Sequence, residues 1–261
     1  MSSHALVSFF QIVSILGSTL VVIKLYSSGL YRRYRVFFLY FILRVPYLSF
    51  SWVRYHQGSS TRAYLDLFLY TEPVVMLFYI LVVLELYRLV LERYKGLYTM
   101  GRWAMYLAIA ISVAISVLTL LPKITPSTPE PSKNLFREIA VERGVDLSLV
   151  LFILLIVLFL GRFPVPLSRN VIVHTGIYSV FFLSNTLALL LRTLFTVSVG
   201  SALNVTFAGV TAAASLAWWL LLSARGEAVH ASMPHLGPGS EEHVLHQLDA
   251  LNATLLKVSH Q

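Results

Sequence analysis

The chain is 261 residues long, 57% hydrophobic and 12% charged, with a mean hydropathy of +0.75. Soluble domains carry roughly 25% charged residues, so this composition excludes an ordinary soluble domain and points to a multi-pass membrane protein. Cysteine is absent, which excludes a disulfide framework, a thiolate nucleophile and Cys-ligated zinc or iron–sulfur centres.

The formal net charge of +8 is the excess that Lys/Arg-rich cytoplasmic loops produce. No basic run is interleaved with aromatics on a soluble domain, so no nucleic-acid partner is expected. The bilayer itself is the expected partner.

A hydrocarbon core ~30 Å thick takes about 20 helical residues. Helices are the expected spans, because every backbone group must be satisfied within the segment. Seven stretches qualify in chain order: 5–26, 35–53, 67–89, 103–121, 147–163, 170–191 and 203–223. The first lacks a charged leader and a small-residue cleavage site, so it is expected to stay as a span. The second is interrupted by Arg44 and Pro46, the third by Glu72 and Pro73. The fifth has no polar line and is expected to be the most lipid-exposed. The predicted fold is all-α, a seven-transmembrane-helix bundle.

Orientation follows from the basic residues. With seven spans, twelve Lys and Arg fall on one side, from Lys24 and the Arg32, Arg33, Arg35 group to Arg225 and Lys257. Seven fall on the other, where Glu130, Glu138, Glu142 and Asp146 offset them. The N-terminus is therefore expected outside and the C-terminus in the cytoplasm, in a plasma or inner membrane. Residues 122–146 read as an outer loop, extended at first, with a short surface helix from Asn134 to Arg143.

The tail, 224–261, starts as a Gly/Pro/His linker and continues as an amphipathic helix over 241–258. Val244, Leu248, Leu251, Leu255 and Val258 are spaced as a short coiled-coil seam. This helix is expected to lie on the membrane or to dock a membrane-protein partner or a second copy. Asn252-Ala-Thr matches the N-glycosylation pattern, but the predicted orientation puts it in the cytoplasm.

Ionisable groups inside spans are costly and mark candidate sites. Arg44 and Glu72 lie at depths that let them pair across spans 2 and 3, with Tyr47 and Tyr79 beside them. Glu72 shares a helix line with Met76, Tyr79 and Val83. On span 6, His174, Tyr178 and Asn185 fall on one line, and Gln11 heads a polar stripe on span 1. Arg44, Glu72, Tyr47, Tyr79, His174, Tyr178, Asn185 and Gln11 are the ligand or polar-core candidates. Glu85 and Arg88, one turn apart near the inner end of span 3, read as a rim ion pair, with His174 at similar depth.

Several chemistries are excluded. The seventh span has no lysine for a retinal Schiff base, and His174 is the one intramembrane histidine, too few for a bis-His haem. Intramembrane zinc needs a His/carboxylate cluster that is missing, and no hydrolase or nucleotide-binding motif occurs. No cofactor, metal or catalytic residue is expected. The expected function is a non-enzymatic receptor-like or sensor module. The alternatives are a small transporter or proton-linked channel using Arg44 and Glu72, and an accessory subunit of a larger membrane complex.

Overall fold

In the computed structural model, residues 3–56, 61–91, 94–120, 130–162, 167–194, 200–228, 230–231, 246–247, 249–250 and 252–253 are described. They are almost entirely helical. Seven long helices run in order: α1 (Ser3–Ser27), α2 (Arg35–His56), α3 (Thr61–Val90), α4 (Lys95–Leu120), α5 (Glu130–Arg162), α6 (Arg169–Leu194) and α7 (Gly200–Leu221). A single turn of 3₁₀ helix, η1 (Leu30–Arg32), joins α1 to α2, and a short α8 (Arg225–Ala228) follows α7. Strands β1 (Leu167–Ser168) and β2 (His230–Ala231) form a small antiparallel pair, tying the start of α6 to the chain beyond α8.

Six of these helices are long and apolar enough to cross a membrane: α1, α2, α3, α4, α6 and α7. The protein is thus an integral membrane protein with an all-α bundle. Its exterior is what a lipid-facing surface requires. Leu16, Ile23, Leu39, Leu77, Leu107, Leu158, Leu183 and Leu220 are all exposed. Pro46 and Pro73 lie inside α2 and α3, as membrane helices tolerate when neighbours re-satisfy the freed carbonyls.

Helices α1, α2, α3, α5, α6 and α7 close into a ring, with α3 also touching α6 across it; α4 is attached to the outside of α5. The tightest seam joins α1 and α7. There Gly17 faces Ser215, and Ser14, Ser18, Thr211 and Ser215 are buried. Small residues let two backbones approach closely, so dispersion and hydroxyl hydrogen bonds replace the hydrophobic drive that lipid removes. Lys24 donates to the carbonyl of Trp219 and, at 3.4 Å, to that of Leu220. Its charge thereby meets the negative C-terminal end of α7.

Three expectations need correction. The stretch 134–143 is no separate surface helix. It is continuous with the following apolar run, so α5 is 33 residues long, about 50 Å at 1.5 Å per residue. Pro131 stands at its first turn, where a missing N–H costs nothing. Gly144 then fits against the backbone of Val113 on α4, so the junction needs no break.

Secondly, α4 rather than α5 is the outermost helix. Only 6% of the Gly96–Ile115 window is buried, whereas α5 buries Leu149, Phe152, Ile153 and Ile156. Uniform apolarity suits a helix wedged among three others as well as one in lipid. Thirdly, α4 starts at Lys95, before the apolar run proper, because the Asn252 side chain accepts the Gly96 amide at 2.7 Å and satisfies an otherwise orphaned donor.

In the tail, positions 246–247, 249–250 and 252–253 are helical. The seam residues Val244, Leu248, Leu251, Leu255 and Val258 lie outside the described residues.

Candidate functional site: a buried polar layer over an aromatic one

Two layers fill the middle of the ring. The first is aromatic and nearer the α8 end. His174, Tyr178 and Phe182 follow one another at four-residue spacing on α6, and Phe37 and Phe41 do so on α2, so each set presents one face. The His174 ring lies 4.5 Å from Phe37 and 4.7 Å from Tyr34 between centroids, and Tyr178 lies 4.8 Å from Trp218 on α7. His174 is 2% exposed and Tyr178 1%. Neither His174 Nε2 nor the Tyr178 hydroxyl has a hydrogen-bond partner. A closely packed layer of this kind is worth about 0.5–1.5 kcal/mol per ring pair beyond burial.

The second layer is polar and lies on the side away from α8. Tyr79 marks the boundary: its ring is 5.6 Å from Tyr40, 5.7 Å from Phe181 and 5.2 Å from Phe182. The Tyr79 hydroxyl is within electrostatic reach of Arg44, Glu72, Asp146 and Glu142. Arg44 Nη1 donates to the Tyr40 hydroxyl one turn earlier, with Cζ 5.3 Å from that ring centroid, a cation–π arrangement. Arg44 Nε has no hydrogen-bond partner. On α3, Glu72, Met76, Tyr79 and Val83 are all buried. Asn185 on α6 donates from Nδ2 to Oδ2 of Asp146 on α5.

Of the residues singled out from sequence, Arg44, Glu72, Tyr79 and Asn185 therefore converge on this layer from three helices. His174 and Tyr178 belong to the aromatic layer beside it. Tyr47 is half-buried on α2. Gln11 stands apart on α1, which packs chiefly against α7 and α2.

Glu85 is 6% exposed and accepts the Val36 and Phe37 amides at 3.0 Å each. It thus caps the N-terminus of α2 from a neighbouring helix. Arg88 is exposed.

Two carboxylates escape a sequence reading. Asp146 is 0% exposed, although its position just before an apolar run makes it look like a loop charge. Glu227 looks like a linker residue, yet it gathers three segments. It accepts the Tyr34 hydroxyl at 2.5 Å and the Asn170 amide at 2.7 Å, and pairs with Arg33 Nε at 2.9 Å. Asn170 in turn donates to the Ser223 carbonyl at 2.8 Å and accepts the Ser223 amide at 3.2 Å. Burial, and then the Glu227 carboxylate, push the Tyr34 hydroxyl well above the usual phenol range. The only signal available in sequence was that Asn170 and Glu227 flank spans on the same side.

Chemically, the polar layer offers hydrogen-bond donors, acceptors and both signs of charge in a water-poor setting. Among the described residues no three His, Asp or Glu are grouped to hold a metal ion. No family model matches the chain, and no curated protein or solved structure matches it.

Proposed function

We propose that this protein is a seven-span, non-enzymatic membrane module of receptor or sensor type, with its N-terminus outside and its C-terminus in the cytoplasm of a plasma or inner membrane. The further span in this reading is the fifth in chain order, the apolar run expected over 147–163, most of which lies in the 33-residue α5. The orientation rests on the twelve-to-seven split of basic residues.

One observation carries the reading. Arg44, Glu72, Tyr79, Asp146 and Asn185 converge from four helices in the half of the bundle that this orientation turns toward the outside. Below them the aromatic layer closes the bundle toward the cytoplasm. Polar groups in that setting bind a small ligand and position it. The cytoplasmic tail helix is the proposed contact with a partner or a second copy, through Val244, Leu248, Leu251, Leu255 and Val258.

Native mass spectrometry of the protein purified in mild detergent tests this. A monodisperse protein with a small-molecule adduct that disappears in Asn185→Leu is expected. A stoichiometric protein partner without any adduct would overturn it in favour of a complex subunit. Solute or proton flux in liposomes that is abolished by Glu72→Gln would overturn it in favour of a transporter.

A further inference from the structure

Among the described residues, Asp146 is a buried acid with one unpartnered oxygen. Its side chain is completely buried. Oδ2 accepts the Asn185 amide, and Oδ1 has no hydrogen-bond partner. A buried carboxylate needs two or more donors or a cation to offset lost hydration.

The surroundings add like charge. Glu142 precedes Asp146 by one turn on α5, and Glu72 reaches it from α3. Tyr79 from α3 and Asn185 from α6 also face it. Arg143 is on the same helix three residues before. Arg44 on α2 has its guanidinium engaged with the Tyr40 hydroxyl. The stretch of α4 packed nearby brings Ala108, Ser112 and Val113, none of them titratable. Neighbouring carboxylates in one site disfavour joint ionisation, so a proton is retained. A neutral acid leaves only an unmade neutral hydrogen bond at Oδ1, a much smaller cost than an ionised oxygen there.

We propose that Asp146 and Asn185 form a proton-binding site: in the closed bundle the Asp146 carboxyl holds a proton on Oδ1 while Oδ2 accepts from Asn185. The proton leaves to water only when the polar layer opens, with α5 parting from α3 or α6. Opening is thereby linked to pH. The site does not require that any small molecule bind in the layer, so it stands or falls separately from the ligand-binding reading.

The chain has three aspartates, Asp66, Asp146 and Asp249, which makes a spectroscopic test direct. Infrared spectra of the purified protein at neutral pH, with and without [¹³C]aspartate, are expected to show a protonated-carboxyl C=O band that shifts with the label and in D₂O. Asp146→Asn removes this band and Asp66→Asn keeps it. A folded wild-type protein with no label-sensitive acid band overturns the proposal. So does a band that survives Asp146→Asn. If that variant does not fold, the band in wild type and in the Asp66→Asn, Asp249→Asn double variant decides alone.

Melting curves give a second readout. The proton stabilises the folded form, so wild-type stability falls as pH rises, while Asp146→Asn is flatter over the same range. The opposite slope counts against the site.

Discussion

The Glu85 carboxylate on α3 accepts the amide proton of Phe37 on α2 at 3.0 Å. Its second oxygen takes the Val36 amide at the same distance. The negative charge thus sits at the positive end of a helix dipole and fills orphaned donors that α2's own sequence, beginning Arg35-Val36, leaves open. Glu85→Ala is expected to cost about 1.5–3 kcal/mol, the range for a hydrogen bond to a charged group. Glu85→Gln keeps one acceptor and costs less, and Arg88→Ala changes little. Thermal unfolding in detergent orders the three. Equal losses for Glu85→Ala and Arg88→Ala would mean that the ion pair, not the cap, matters.

The Glu227 latch predicts coupling. Tyr34, Asn170 and Arg33 meet on one carboxylate, so removal of any one weakens the geometry of the others. Tyr34→Phe and Asn170→Ala together are expected to depart from additivity by roughly 0.5–3 kcal/mol in a double-mutant cycle. Strict additivity would show that the three contacts are independent.

The same latch has an alkaline signature. Burial and Glu227 raise the Tyr34 hydroxyl above its ordinary value. Unfolding frees it to ionise near pH 10. Its contribution is therefore complete below about pH 10 and is lost as pH rises beyond that. Wild type is expected to lose stability faster than Tyr34→Phe above that pH, read as melting temperature against pH. Parallel curves would contradict the buried hydroxyl.

Close helix contact predicts which glycines matter. A Cβ on Gly144 would come within 2.7 Å of Val113 Cα, a backbone atom that cannot turn aside. Gly144→Ala is expected to push α4 from α5 at a cost of roughly 1–3 kcal/mol. At Gly176 nothing lies within 4 Å, so Gly176→Ala is expected to be neutral or to stabilise by up to about 1 kcal/mol. The paired melting temperatures check both.

The tail contact bears on orientation. The Asn252 side chain accepts the Gly96 amide, which places this glycosylation-pattern asparagine against the N-terminus of α4. In a cell that glycosylates, Asn252 is expected to stay unmodified, and Asn252→Ala to lower stability by about 0.5–2 kcal/mol, as loss of an N-terminal helix cap does. A mobility shift on glycosidase treatment that disappears in Asn252→Ala would reverse the assigned orientation.

Hydropathy is a sum over some twenty neighbouring residues, and it determined what such a sum can reach: a helical membrane protein, most of its spans, and the interior positions of Glu72, Tyr79, His174, Tyr178 and Asn185. Sequence spacing also put Glu72 and Tyr79 on one helix line, because 3.6 residues per turn needs no tertiary knowledge. Partners were a different matter. Glu85 meets Phe37 from 48 residues away, Asp146 meets Asn185 across 39, and Glu227 meets Tyr34 across 193.

Hydropathy also misread charges at span edges, taking Asp146 for a loop residue and Glu227 for a linker residue. Burial there is decided by how far the neighbouring helices extend. Which side chains face one another depends on the rotation and depth of helices packed against each other, and no local pattern encodes those. Only the closed ring turned scattered polar residues into a layer, with the Asp146 carboxyl buried in it.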